Sequence, residues 1–326
     1  VLTQTPRPAG GAAGGIAPPA AYPRLQALIE RAQQRAASHP VRIGLVYPCD
    51  ALAIEAADAI RQAGIGVPVL IGPRPLIEAA ARESQIDVSG FELIDTPAEP
   101  AAAAQRAAAL ARDGAVQVLM KGSLHTDELM SAVVRKEAGL RTERRISHVF
   151  IFDLPRYHKP LALADCVVNI APDLRTKGDI LSNAIDLLAS LGVAHPKVGI
   201  VAAVETVNPA IPATVDAQAL VARHRAGEWS SARVEGPFGF DNVISAEAAR
   251  VKKLRSEVSG DADLLIMPDL NAGNMLYKSF TYIGGGECAG LILGAKVPVV
   301  LTSRADSLLA RTASAALSVL ASRPAR

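Results

Sequence analysis

Residues 297–307 read VPVVLTSRADS. A β-branched apolar run ends abruptly in Thr302, Ser303, Arg304 and Asp306, and Leu308, Leu309, Thr312, Ala316, Val319 and Leu320 then recur at helical spacing. The pattern is a buried strand feeding an amphipathic helix, one βα unit. No strand candidate follows it, so the unit must pack against a sheet built earlier, and we expect it to return to the N-terminal half. In open α/β sheets ligands bind outside the carboxyl ends of strands. The hydroxyls, guanidinium and carboxylate of this stretch therefore stand where chemistry is done.

Working outward, short apolar runs at 41–47, 67–71, 91–94 and 116–120 alternate with helix-length stretches, the signature of a parallel sheet. A second series follows at 148–152, 166–170, 198–204, 233–234 and 264–267. Between them Ile180, Leu181, Ala184, Leu187, Leu188 and Leu191 predict a helix stopped by Gly192. The fold class is α/β. At 326 residues the chain favours two cores of about 100–200 residues each. We expect a Pro/Ala/Gly linker over 1–22, an α/β domain I over 23–147 plus 289–326, and an α/β domain II over 148–288.

Composition excludes several classes. The chain is 50% hydrophobic, 20% charged and 4% aromatic, as an ordinary soluble globular protein is. Its 34 basic and 32 acidic residues leave a net charge of +2, too small to steer it onto nucleic acid or a membrane. Any anion site is local. Cys49, Cys166 and Cys288 are too few and scattered for a disulfide framework, which suits a reducing cytoplasm. The longest apolar tract, 288–301, is broken by Lys296 and falls short of the roughly 20 residues of a membrane span. The start lacks a signal-peptide layout and an initiator Met, so we expect sequence upstream of it. No His, Cys, Asp or Glu cluster has ligand spacing, so no metal is implied.

A second polar strand end lies in LLIMPDLNAGNMLYK, residues 264–278, where Asp269 is followed by Asn271, Asn274 and Lys278. Asn271 or Asn274 is positioned to cap the next helix, whose free N–H groups favour an anion; a capped helix alone accounts for either one equally well. Lys121 and Gly122 follow the strand at 116–120, where a solvated strand-end lysine accounts for the position as well as a ligand contact does. Asp241 and Asn242, in GPFGFDN, either line a cleft or cap the helix carrying Ile244, Ala248, Val251 and Leu254. His125 opens a helix beside the Lys121 strand end and reads as structural. GGGECA at 284–289 formally matches a dinucleotide fingerprint with Asp306 downstream, which makes an NAD-dependent dehydrogenase the enzyme alternative. The segment before it reads as helix, whereas that fingerprint needs a strand.

The strings VNIAPDLRTKGDILSNAIDL (168–187), AAVETVNPAIPATVDA (202–217), GPFGFDNVIS (236–245), GDADLLIMPDLNAGNMLYK (260–278) and ILGAKVPVVLTSRADS (292–307) resemble the phosphate acetyltransferase and phosphate butyryltransferase family. The likeness runs from about residue 40 to 320. It is particularly close to the acyltransferase part of bifunctional enoyl-CoA hydratase/phosphate acetyltransferases, which implies a hydratase-like domain before the linker. The resemblance implies two α/β domains with an interdomain active-site cleft, a fold like that of isocitrate and isopropylmalate dehydrogenases, and a homodimer. It also implies reversible acyl exchange between coenzyme A and phosphate, with coenzyme A as substrate and no permanently bound cofactor.

That chemistry assigns roles. A thiol of pKa about 8.5 is only a few per cent ionised at pH 7, so a base should assist it. Asp306 is the candidate base; an ordinary aspartate near pKa 3.9 is mismatched by about four to five units, so Asp306 must be desolvated or act in concert with bond formation. Arg304 suits the departing phosphate, Ser303 donates to phosphate or to the oxyanion, and Thr302 orients Ser303. The plain alternatives are a helix cap for Ser303 and an exposed Arg304–Asp306 ion pair worth about 0–1 kcal/mol. The compact SRADS spacing looks like the butyryltransferase branch, and Tyr282 stands where the acetyltransferase branch carries an arginine. Two rivals remain: acyl transfer through Cys288, and a non-catalytic acyl-CoA or acyl-phosphate sensor.

Overall fold

The computed structural model describes residues 21–303 and 305–322. Residues 1–20 of the expected linker lie outside them, as does Arg304. In chain order the elements are α1 (Pro23–Ser38), β1 (Arg42–Val46), α2 (Ala51–Gln62), β2 (Val67–Gly72), α3 (Arg74–Ser84), β3 (Glu92–Asp95), α4 (Pro100–Arg112), β4 (Val118–Lys121), α5 (Thr126–Val134), β5 (Ser147–Asp153) and β6 (Leu161–Ala164). They continue with α6 (Leu174–Ser190), β7 (Lys197–Val201), α7 (Pro212–Arg225), β8 (Arg233–Phe238), α8 (Phe240–Ile244), α9 (Ala246–Val251), β9 (Leu264–Ile266), α10 (Leu270–Tyr282), β10 (Glu287–Leu293), β11 (Val299–Val300) and α11 (Leu308–Ala321).

Among the described residues all eleven strands form one sheet in the order β3-β2-β1-β4-β11-β10-β5-β6-β9-β7-β8. The block from β3 to β11 is parallel, as is the block from β6 to β8. Between them β10 runs antiparallel to both β11 and β5, and β6 antiparallel to β5. The last βα unit does return to the N-terminal half: β11 pairs with β4, and α11 packs on α1, α2 and β10. From Ala310 to Leu320 every residue of α11 is buried, Arg311 included, so the helix that reads as amphipathic is enclosed on all sides. Its alanines and serines allow close approach, and Ser314 Oγ accepts the Gly290 N–H at 2.9 Å.

One expected strand needs correction. The run at 166–170 is not a strand: the strand is β6, and Asp165 turns the chain out of the sheet by accepting the Val167 and Val168 N–H groups at 2.8 and 3.0 Å. The tract at 288–301 divides into the antiparallel strands β10 and β11, with Gly294 between them at φ +92°. The predicted helix at 180–191 begins earlier, at Leu174, because Asp173 accepts the Thr176 N–H at 2.7 Å as its cap.

Strand order fixes where a ligand belongs. From β1 the chain steps outward to β2 and β3, then crosses back to β4 on the other side of β1. The crevice at the carboxyl ends of β1 and β4 is thus a topological switch point, the preferred ligand position in such sheets.

Candidate active site

A cleft of about 600 Å³ opens at that switch point. Its rim begins where β1 ends: Tyr47 turns with φ +55°, and Asp50 caps α2 by accepting the Ala53 N–H at 2.8 Å. From β4 come Lys121, Gly122 and Ser123. The Gly122 N–H donates to Val46 O, and the Ser123 N–H and Oγ–H both donate to Tyr47 O, at 2.8–2.9 Å. The two strand ends are so close that a Cβ on Gly122 would lie 2.5 Å from Tyr47 O and 2.6 Å from Val46 O. Only glycine fits there. Lys121 Nζ donates to Gly122 O and Leu124 O at 3.1 and 3.0 Å.

β11 delivers the third strand end. Thr302 is buried and donates from Oγ1 to Lys121 O at 3.0 Å, tying β11 to β4. Ser303 and Asp306 face the cleft. Asp306 Oδ2 accepts the Ser303 N–H at 2.7 Å, and the Asp306 N–H donates back to Ser303 O at 3.2 Å, so the SRADS loop closes on itself. Desolvation pushes the Asp306 carboxyl above the ordinary aspartate range; Glu287 adds to this, while the Ser303 N–H, Arg311 and Lys121 oppose it. The direction of that shift is the one a base for a thiol needs. Ser303 is not the cap of α11: Ser307 is, accepting the Ala310 N–H at 3.0 Å.

Several cleft residues escaped the sequence reading. Arg311, 6% exposed, donates from Nη2 to Ser303 O at 2.7 Å and from Nε to Asp306 O at 3.3 Å, bracing the loop from within α11. Glu287, at the start of β10, accepts from Ser307 Oγ at 2.7 Å. A signal for Arg311 existed: Ser307, Arg311 and Ser314 share a helix face at spacings of four and three. Nothing comparable marked Glu287. The sheet face of the cleft is formed by His148, Phe150, Cys288 and Gly290, with Tyr277 of α10 against Phe150 at 4.7 Å. His125 also lines it, its N–H donating to Glu128 at 2.8 Å.

The remaining predicted residues lie outside that lining. The cap of α10 is Asp269, which accepts the Ala272 N–H at 3.0 Å; Asn271 is exposed, and Asn274 Nδ2 donates to Cys166 O at 3.2 Å. Lys278 sits 5.9 Å from the Tyr277 ring. Asn242 is fully buried and donates to Glu205 at 3.2 Å, Asp241 pairs with Lys252 at 3.3 Å, and α9 is capped by Ser245 instead. Arg304 lies outside the described residues.

The two rival chemistries lack their local requirements. Residues 284–289 lead from α10 into β10, so GGGECA does not connect a strand to a helix as a dinucleotide fingerprint does. Burial pushes the Cys288 thiol far up, with Glu287 and Asp306 adding to the shift, and burial pushes Cys49 up to about 12 and Cys166 likewise upward. None is an activated nucleophile.

Comparisons with known proteins identify the family. The model of the phosphate acetyl/butaryl transferase family matches residues 101–319. A phosphate acetyltransferase of Rhizobium meliloti is 46% identical over 93% of this chain and 94% of its own. Among solved structures, a branched-chain phosphotransacylase of Enterococcus faecalis V583 superposes with a TM-score of 0.76 at 30% identity, covering 86% of this chain and 98% of its own. A putative 4-hydroxythreonine-4-phosphate dehydrogenase of Salmonella typhimurium shares the fold alone, with a TM-score of 0.56 at 15% identity over 87% of this chain and 99% of its own. With more than half of its length matched by the family model, and a relative 46% identical over 93% of it, the chain belongs to the phosphate acetyl/butaryl transferase family.

Proposed function

We propose that the cleft exchanges an acyl group between coenzyme A and inorganic phosphate by direct transfer in a ternary complex. The observation that supports this best is the tethered, desolvated carboxyl of Asp306 at the switch point, within the influence of Arg311 and Lys121. In the acyl-phosphate-forming direction an oxygen of hydrogen phosphate attacks the thioester carbonyl carbon; the C–O bond forms, the C–S bond breaks, and the phosphate proton passes through Asp306 to the departing thiolate. In reverse, Asp306 takes the thiol proton as sulfur attacks the acyl phosphate. Arg304 neutralises charge gathering on phosphate and Ser303 donates a hydrogen bond to it, with Lys121, Gly122 and Thr302 shaping that side of the site. Asn271, Asn274, Lys278, Asp241 and Asn242 are proposed to contact the substrates beyond that side of the site.

Coenzyme A is a substrate here, not a resident group. No described helix is long and apolar enough to cross a membrane. A cytoplasmic location accords with the free thiols of Cys49, Cys166 and Cys288. A homodimer follows from the family resemblance, and sedimentation equilibrium tests it. The activity itself is tested by phosphate-dependent release of thiol from acetyl-, propionyl- and butyryl-CoA. Tight coenzyme A binding without release would favour the sensor reading.

A further inference from the structure

His148, the second residue of β5, is only 2% exposed yet lines the cleft. Pairing of Phe150 with Gly290 and of Phe152 with Cys288 puts His148, Phe150, Cys288 and Gly290 on one face of the sheet. A Cβ on Gly290 would lie 2.9 Å from both His148 Nε2 and Phe150 Cε1, so the imidazole fills the space that glycine leaves. Phe150 holds it edge-on at 4.3 Å. Among the described residues neither ring nitrogen has a hydrogen-bond partner, and Nδ1 is fully enclosed. The nearest carboxylate, Asp165, is spent elsewhere: it accepts the backbone N–H groups of His148, Val167 and Val168 and the Asn169 amide at 2.6–3.2 Å. Burial pushes the imidazole down to about 4, Asp165 opposing only in part, so the ring is neutral at pH 7 and carries one N–H donor and one acceptor. With Nδ1 enclosed, Nε2 is the nitrogen that a ligand in the cleft can meet, and in the Nε2–H tautomer it is a donor with no acceptor among the described residues.

The geometry points to His148 as the hydrogen-bond donor to the carbonyl oxygen of the acyl group, an inference that rests on the acyl-transfer reading above. The cleft has two chemical halves. Lys121, Ser303 and Arg311 offer the charged and hydroxyl donors that a phosphate dianion needs. Phe150, Tyr277 and Cys288 form a largely apolar wall, suited to an acyl chain, in which His148 is the neutral donor. When phosphate oxygen attacks, the carbonyl π pair moves onto oxygen; collapse restores the double bond and expels the thiolate. A fixed neutral donor strengthens as that charge develops.

The test uses His148→Leu and His148→Gln with two unreactive analogues of butyryl-CoA: a ketone in which CH₂ replaces sulfur, and a thioether in which CH₂ replaces the carbonyl. The leucine variant should bind the ketone at least tenfold more weakly and the thioether unchanged. Its kcat should fall about 10²–10³-fold with the phosphate KM unmoved. The glutamine variant, which retains an N–H, should recover part of both losses. Equal loss of both analogues, or full kcat in the leucine variant with unchanged thermal unfolding, overturns the assignment. Absence of phosphate-dependent thiol release by the unaltered protein overturns the acyl-transfer reading, and this inference with it.

Discussion

Asp306→Asn isolates the proposed base with little change of shape. The asparagine amide oxygen can still accept the Ser303 N–H that Asp306 Oδ2 accepts at 2.7 Å, so the loop should keep its closure. What disappears is the proton acceptor. In the direction that consumes acyl phosphate, a thiol of pKa about 8.5 is about 3% ionised at pH 7, so loss of the base costs at least about 30-fold in kcat. At pH 9 about three quarters of that thiol ionises unaided, and the deficit should shrink to a few-fold. The sign for stability runs the other way. A carboxyl whose pKa is raised by folding stabilises the fold fully only below its unfolded pKa, and that contribution is lost as pH rises through the folded value. At pH 7 Asp306 is therefore a burden, and the asparagine variant should unfold at the same temperature or higher. Rates of acyl-CoA formation from pH 6.5 to 9.5, paired with thermal unfolding, read both quantities. A deficit that stays constant with pH, or wild-type activity at pH 7, refutes the assignment of Asp306 as base.

Gly122→Ala forces a Cβ against the backbone of Val46 and Tyr47, atoms that cannot swing aside, and should destabilise the fold by about 1–3 kcal/mol while lowering activity. An unchanged urea midpoint would contradict the close approach of β1 and β4. Cys288→Ala should retain phosphate-dependent exchange, because burial and two carboxylates hold that thiol protonated. Burst kinetics lost in this variant would instead indicate an acyl-cysteine intermediate.

Much of this fold was legible because its strands are short apolar runs set between helix-length stretches, as at β1, β2, β4 and α6. β10 was not legible, since a strand buried among neighbours reads as one continuous apolar tract, and Gly294 alone marks the reversal. The displaced strand at 166–170 failed for a different reason: CVVNI has strand composition, but Asp165 supplies hydrogen bonds that end β6 before it. In the site, strand-end polarity led to Thr302, Ser303, Asp306, Lys121 and Gly122, all of which line the cleft. Arg311 and His148 escaped notice because each lies inside an element whose other residues read as core. The Asn and Asp residues near α8 and α10 were read as ligand groups from their place after strands, and in the structure Asn274 Nδ2 donates to Cys166 O and Asn242 Nδ2 to Glu205.

The most direct test of the central claim is thiol release from acetyl-, propionyl- and butyryl-CoA by the purified chain, with and without phosphate. The account predicts release that saturates with phosphate, yields stoichiometric acyl phosphate and needs no added nicotinamide cofactor. Failure of all three substrates to release thiol in the presence of phosphate would contradict it.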